Sequence, residues 1–287
     1  MNMNKELLVS VIMPTYNREE LVGRSIKSVL DQSYKNFEFI IINDCSTDNT
    51  EKIVEDYQKK DKRIKYLKNK DNLGIVKSLN NGLRIAQGEY IARVDDDDAW
   101  IDEKKLEKQI DFLNKHQEYV LIGTGSIAVF ESKGLRIKNS KPEKDEDIRK
   151  KMLLNCPFLH PSVVFRKEAI DKIGFYDESL ERAEDYDLWM RLGKIGKMFN
   201  LQEYSIESIV GASNVSHQKR REILVYNLKL IKKYKLDYPN YRRAYLKNYL
   251  EYLDATFPIL RVLLRPLYWI RRFLLDRFSR QIKVEKL

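Results

Sequence analysis

Residues 6–44 read ELLVSVIMPTYNREELVGRSIKSVLDQSYKNFEFIIIND. The opening run ELLVSVIMP is apolar almost throughout and stops at Pro14, as expected of a strand buried on both faces in a parallel sheet. Leu21, Val22, Ser25, Ile26, Val29 and Leu30 then recur at helical spacing and make one apolar stripe. NFEFIIIND is a second strand of the same buried kind. Strand, helix and strand in that order imply a parallel pair joined by a right-handed crossover.

The same alternation continues to about residue 94. STDNTEKIVEDYQKK predicts a second helix, with Asp48 and Glu51 spaced as a capping box. RIKYLKN predicts a third strand, GIVKSLNNGLRIAQG a third helix closed by Gly88, and EYIARV a fourth strand. The expected class is α/β, a Rossmann-like, mostly parallel sheet flanked by helices. Ligands of such sheets bind beyond the carboxyl ends of the strands. That rule gathers PTYN (14–17), NDCSTD (43–48) and DDDDAW (95–100) on one rim.

Composition limits what that rim can do. With 287 residues, 43% hydrophobic and 33% charged, the chain has the balance of a soluble globular protein. No run approaches the roughly 18 apolar residues of a membrane span, and the start does not read as a signal peptide, so a cytoplasmic location is expected. Cys45 and Cys156 stand far apart and outside metal-ligand spacing, which fits a reducing compartment. The net charge of +10 is local: His217–Leu287 holds 18 Lys and Arg against 6 Asp and Glu, whereas the rest holds 35 against 37. The basic excess therefore belongs to the tail.

Asp95, Asp96, Asp97 and Asp98 repel one another. A solvated turn or a helix cap would explain one or two of them; a bound Mg²⁺ or Mn²⁺, which takes hard oxygen ligands, explains the run better. A cation at strand ends suggests a phosphorylated ligand. The chain has no G-x-G-x-x-G after its early strands and no G-x-x-x-x-G-K-[ST], which argues against a dinucleotide held in the Rossmann manner and against a P-loop phosphotransferase. In the second half, a helix from about Ala183 to Lys194 places Leu188, Trp189 and Leu192 around Asp185. A carboxylate on an apolar stripe is costly unless something uses it, and burial makes it a better proton acceptor, so Asp185 is the candidate general base. Glu184, Asp187 and Arg191 fall on the opposite side and read as a solvated, self-paired face.

VSVIMPTYNREE, IINDCSTDNT, NLGIVKSLNNG, GEYIARVDDDDAW, HPSVVFRKEAI and FYDESLERAEDYDLWMRL occur in the order and spacing of the inverting family 2 nucleotide-sugar glycosyltransferases of GT-A fold, and the chain resembles that family over about residues 7–212. The resemblance implies a catalytic domain over 1–214, with a nucleotide-binding half to about 118 and an acceptor-binding half from about 119, followed by a helical extension over 215–287. It implies a sugar moved, with inversion and a divalent cation, from a nucleoside diphosphate, UDP by family precedent, to a hydroxyl of a glycan or lipid-linked glycan, in surface polysaccharide synthesis. Pro14, Thr15 and Tyr16 would line the nucleoside, Asp44 the base, Asp95 and Asp96 the ribose and diphosphate, and Asp97 with Asp95 the metal. Asp185 would be the base, Glu184 its support, and His160 would touch the acceptor. Where members often carry Gly, an acidic pair and Arg, this chain has Cys45, Asn43 with Asp44, and Leu79; Lys77 or Arg93 would take over the diphosphate contact. A histidine that completes the metal shell in many members has no counterpart in EYSIESIVGASN, although His217 follows.

The tail reads as basic helices. Its last stretch, PILRVLLRPLYWIRRFLLDRFSRQIKV, is amphipathic and rich in arginine, which favours a peripheral place on an anionic membrane, where a lipid-linked acceptor would also be found. Packing against the catalytic domain is the other reading. A nucleic-acid-binding or scaffolding protein that uses this tail is the alternative function; no nucleic-acid module is recognisable, and a metal-dependent nucleotide site would be idle in it.

Overall fold

The structure is a computed structural model and describes residues 7–210, 219–257 and the backbone of 282–286. Four strands form a parallel ladder in the order β3 (Ile64–Lys68), β2 (Phe37–Asn43), β1 (Val9–Thr15), β4 (Tyr90–Arg93). Their registers, Val9 opposite Phe37 and Tyr90, and Phe39 opposite Ile64, align the carboxyl ends along one edge. Every residue of β1 and β2 is buried, which is why they lack a polar alternation. Helices α1 (Val22–Leu30), α2 (Thr50–Lys60) and α3 (Ile75–Ile85) make the crossovers.

Beyond β4 the sheet becomes mixed. The remaining segments are β5 (Asp98–Trp100), α4 (Lys105–Lys115), β6 (Tyr119–Phe130), β7 (Leu135–Asn139), α5 (Asp145–Lys151), β8 (Val164–Arg166), α6 (Lys167–Ile173), α7 (Glu184–Leu192), β9 (Lys197–Ile209), α8 (Arg220–Lys233), α9 (Tyr241–Thr256) and β10 (Ile282–Lys286). β8 lies antiparallel on β4 and on β6, and β7 and β10 extend the sheet past β6. β9 runs parallel to β6 and antiparallel to β5, so the strand that begins at Asp98 is fastened to Ser208.

Alternate residues of the central strands feed two cores. Val9, Val11, Met13, Phe39 and Ile41 meet α1, α2 and α4 on one face; Ile12, Ile40 and Ile42 meet α3 on the other. The second core also holds Leu188, Trp189 and Leu192 of α7 and Leu230, Ile231, Tyr234, Tyr238 and Ala244 from the tail. Helix α8 thus packs Leu224, Leu230 and Ile231 inward, whereas α9 buries Ala244, Asn248 and Asp254 and leaves Leu246 and Tyr249 exposed. The amphipathic stretch expected over 258–281 lies outside the described residues, as does His217.

Three local expectations are corrected. The capping box at α2 does not form: Asp48 accepts from Thr50 N (2.9 Å) and Glu19 N (3.1 Å), while Glu51 takes the Lys68 ammonium (2.6 Å). Gly88 does not cap α3, which ends at Ile85 with Ala86 already extended. It allows a close approach instead, because a Cβ there would lie 2.5 Å from Ser10 N. The face of α7 expected to be solvated is covered by α8, and Asp187 is fully buried.

Candidate active site

The rim is laced together from β1, β2 and β4. Asn17, at φ 51°, turns its side-chain oxygen to Thr47 N (2.8 Å), and its own N–H donates to Ser46 Oγ (3.0 Å). Arg18 N donates to Thr50 Oγ1 at 2.7 Å, which fixes the β1 loop against the start of α2. Cys45 has φ 64°, in the left-handed region, which accounts physically for the glycine common in the family at this position. Pro14 and Thr15 are buried at the end of β1 and Tyr16 is exposed above them. Asp44 is buried and accepts from Asn69 Nδ2, Leu73 N and Gly74 N, all at 2.8 Å. Three of its roughly four acceptor directions therefore hold the loop that enters α3.

The four aspartates differ in surroundings. Arg93 is buried and its guanidinium donates to Asp95, to the Ile12 carbonyl (2.9 Å) and to the Val94 carbonyl, with Nε on His160 Nε2 at 3.2 Å. That network removes Arg93 from the diphosphate contacts expected of it: its donors face the protein and hold Asp95 in place. Lys77, by contrast, is exposed on α3. Asp96 accepts from Tyr16 N (3.2 Å) and Arg18 Nε (3.4 Å), and Arg18 Nη2 lies 3.8 Å from Asp97. Burial, then the neighbouring Asp97, pushes Asp96 up to about 6. Burial and the charge of Asp95 also raise Asp97 and Asp98.

Four carboxylates against the two guanidinium groups that touch them, Arg18 and Arg93, leave two negative charges uncompensated. Hard oxygen donors with that deficit fit a Mg²⁺ or Mn²⁺ on Asp95 and Asp97, its shell completed by phosphate oxygens and water. Among the described residues no three His, Cys, Asp or Glu side chains gather closely enough to hold a metal by themselves, so the fit depends on those outside oxygens.

Helix α7 starts after Ala183, itself at φ 59°, and carries Glu184 and Asp185 on its first turn. Burial raises the Asp185 carboxyl, Tyr186 N–H (2.7 Å) lowers it, and the charge of Asp95 raises it again; the net direction is up. Glu184 is raised by burial and by Asp185. Both acids sense Asp95 and Arg93, so the aspartate run and the α7 acids share one field. His160 stands between: Nε2 receives the Arg93 Nε–H and lies 2.8 Å from Tyr176 OH, and its ring packs edge-on to Trp189. Accepting from a guanidinium requires an unprotonated Nε2, so the neutral ring carries its proton on Nδ1. Burial and Arg93 hold its pKa well below the usual value. Only the Nδ1 edge of His160 is left for a substrate.

Sequence reasoning missed Arg18, the counter-ion of Asp96 and Asp97, although it directly follows PTYN. It also missed Tyr176 and Lys141, whose approach to the α7 acids depends on long-range folding.

A sequence profile described as Glycosyl transferase family 2 matches residues 10–174. The putative glycosyltransferase EpsE of Bacillus subtilis (strain 168) is 41% identical over 207 residues, 70% of this chain and 72% of that protein. Among solved structures, S. aureus TarS 1-349 in complex with UDP aligns at TM-score 0.60 and 25% identity, over 88% of this chain and 73% of that one. The mannosyltransferase PcManGT from Pyrobaculum calidifontis, in complex with GDP-Man and Mn²⁺, aligns at TM-score 0.61 and 16% identity, over 85% and 69%.

Proposed function

The chain belongs to glycosyl transferase family 2 and is a glycosyltransferase, and from that premise we propose that it uses a divalent cation and one general base to move a sugar, with inversion, from UDP to a hydroxyl of a glycan or lipid-linked glycan in surface polysaccharide synthesis. One observation supports the reading: the acids at the start of α7 feel the charge of the Arg93-held Asp95, and His160 links the two groups, with Nε2 on Arg93 Nε at 3.2 Å and its ring against Trp189 of α7. A base and a phosphate-side carboxylate cluster are what an inverting transfer needs opposite one another.

Asp185 takes the proton of the acceptor hydroxyl; the oxygen forms its bond to the anomeric carbon as the bond to the diphosphate breaks on the opposite face. One carboxylate acting as base suffices, whereas a retaining hydrolase would need a second as nucleophile. A cation on Asp97 and Asp95 supplies Lewis-acid neutralisation of the leaving diphosphate. Arg18 restrains Asp96 and Asp97, Arg93 restrains Asp95, and exposed Lys77 is the side chain available to the diphosphate. Tyr16 covers the base of the nucleotide, and the remaining acceptor direction of Asp44 meets its edge.

The donor is tested by thermal unfolding with UDP or GDP, each with and without Mn²⁺. At 100 times its dissociation constant a nucleotide stabilises by about 2.7 kcal/mol, roughly 5 °C for a chain of this size. UDP should raise the midpoint only with Mn²⁺, and Asp97→Ala should abolish the metal-dependent part; a shift independent of Mn²⁺ would remove the cation from the proposal. Peripheral membrane contact belongs to the same reading and is supported by exposed Arg220, Arg221, Lys232 and Lys235 on α8 and its exit. Sedimentation with phosphatidylglycerol vesicles should weaken as salt rises; binding indifferent to salt and lipid charge argues against it.

A further inference from the structure

A cavity of about 480 Å³ opens between the loop that leads from β7 to α5 and the helices α8 and α9. We propose that it is an acceptor subsite that takes a phosphate ester; the assignment deepens the transferase reading above and rests on it. Its wall brings Lys141 and Lys151 from the catalytic part together with Asn227 of α8 and Lys247 of α9.

The cations carry the argument. Lys247 donates to the Leu154 carbonyl (2.7 Å) and to Asn155 Oδ1, and has a carboxylate partner in Glu251 at 3.9 Å. Lys141 has only a long contact to the Cys156 carbonyl, 3.4 Å, and Lys151 Nζ has no hydrogen bond or ion pair among the described residues. Burial holds the Lys141 ammonium below its ordinary pKa, and the like charge of Lys151 pushes it the same way. Glu251, on the same wall, lies 3.9 Å from Lys247, and two further partly covered ammonium groups, Lys141 and Lys151, with no ion pair among the described residues, match a dianion better than a neutral sugar or a single carboxylate. The Asn227 amide on the same wall adds a polar contact for the ester's hydroxyls. The volume suits a phosphorylated monosaccharide.

Position makes the occupant an acceptor. Cys156 and Tyr186 line this cavity, Tyr186 directly follows Asp185, and the charges of Lys141 and Asp185 interact. Asp185 thus feels the charge of both Asp95 and Lys141. A molecule anchored through its phosphate in this cavity would carry its hydroxyl next to the turn of α7 that bears Asp185.

The test uses the full chain saturated with UDP and Mn²⁺, so that the donor site cannot take the probe. Glucose 6-phosphate is titrated calorimetrically against glucose, and vesicles of phosphatidylcholine with or without phosphatidic acid are sedimented with the protein. Saturable binding of the sugar phosphate, weakened about tenfold in Lys141→Gln/Lys151→Gln by loss of two charge-assisted contacts, identifies a glycan-borne phosphate. The same loss seen only with phosphatidic acid vesicles identifies a lipid-borne one. Asn227→Asp, which adds a carboxylate to the wall, should act in the same direction, and Lys141→Arg/Lys151→Arg should restore binding. UDP binding by each variant verifies its fold. Variants that bind both probes as the parent does, or a parent that prefers neither phosphate probe to its neutral counterpart, overturn the subsite. Failure of UDP to bind the parent would overturn the donor reading instead and leave the comparison of anion binding readable.

Discussion

Asp185 and Glu184 are adjacent on the first turn of α7, and burial raises both carboxyls, that of Glu184 further through the charge of Asp185. The two therefore titrate as a coupled pair, with Asp185 the proposed member that accepts the proton. Asp185→Asn should lower transfer by roughly 10²–10⁴-fold, the usual contribution of a general base, with UDP binding retained. Glu184→Gln, which resembles the protonated acid, should stay much closer to the parent. Equal rates for Asp185→Asn and parent would exclude the assignment. Because a base must be deprotonated to act, kcat/KM should fall as pH drops through the raised value of Asp185, well above the ~3.9 of an ordinary aspartate; a pH–rate profile with its acid limb at that ordinary value would count against burial as the tuning force. Asp185 was legible from its place on an apolar stripe. The committed state of Arg93 was not, because the carbonyls of Ile12 and Val94 that absorb its donors come together only in the folded sheet.

At the scale of elements, α7, which carries the proposed base, is held by the tail. Asp187 accepts from Arg191 Nε (2.7 Å), Lys233 Nζ (2.8 Å) and Tyr234 OH (2.7 Å), which joins α7 to α8. Burial pushes the Asp187 carboxyl up, but these three bonds together outweigh it and hold its pKa below the ordinary range. A depressed carboxyl contributes stability above its unfolded value and loses it as pH falls through the folded one. Asp187→Asn should therefore cost about 2–3 kcal/mol at neutral pH, discounted for the half-exposed Lys233, a midpoint drop of roughly 5–10 °C. The gap between variant and parent should close below pH ~3.9; thermal unfolding at both pH values decides it, and a gap that persists in acid would assign the effect to packing. Helical periodicity located α7 correctly but gave it one wet face, since a 3.6-residue pattern cannot register a second helix arriving from 40 residues away.

For the whole molecule, the extension read from residue 215 contributes to the main core. Leu224, Leu230, Ile231, Tyr234 and Tyr238 are buried, the last four within the cluster that contains Trp189 and Ile12. Each such side chain stabilises by about 2 kcal/mol on burial, and the five together approach the whole stability of an ordinary domain. A chain ending at residue 214 is accordingly expected to unfold or aggregate, and circular dichroism with a cooperative melt near the parent's midpoint would contradict that. No helix among the described residues is long and apolar enough to cross a membrane.

The sequence by itself determined the parallel ladder, the two-faced core and the polar rim, because burial on both faces leaves uninterrupted apolar runs and crossover helices leave a stripe at 3.6-residue spacing. It also marked the aspartate run and Asp185 as candidates, because charge stands there where charge is costly. Only the tertiary structure decided which cations answer those carboxylates, Arg18 and Arg93 rather than a free Arg93, and that the basic tail closes a cavity lined by Tyr186. Those outcomes depend on side chains far apart in the chain meeting in three dimensions, which no local periodicity encodes.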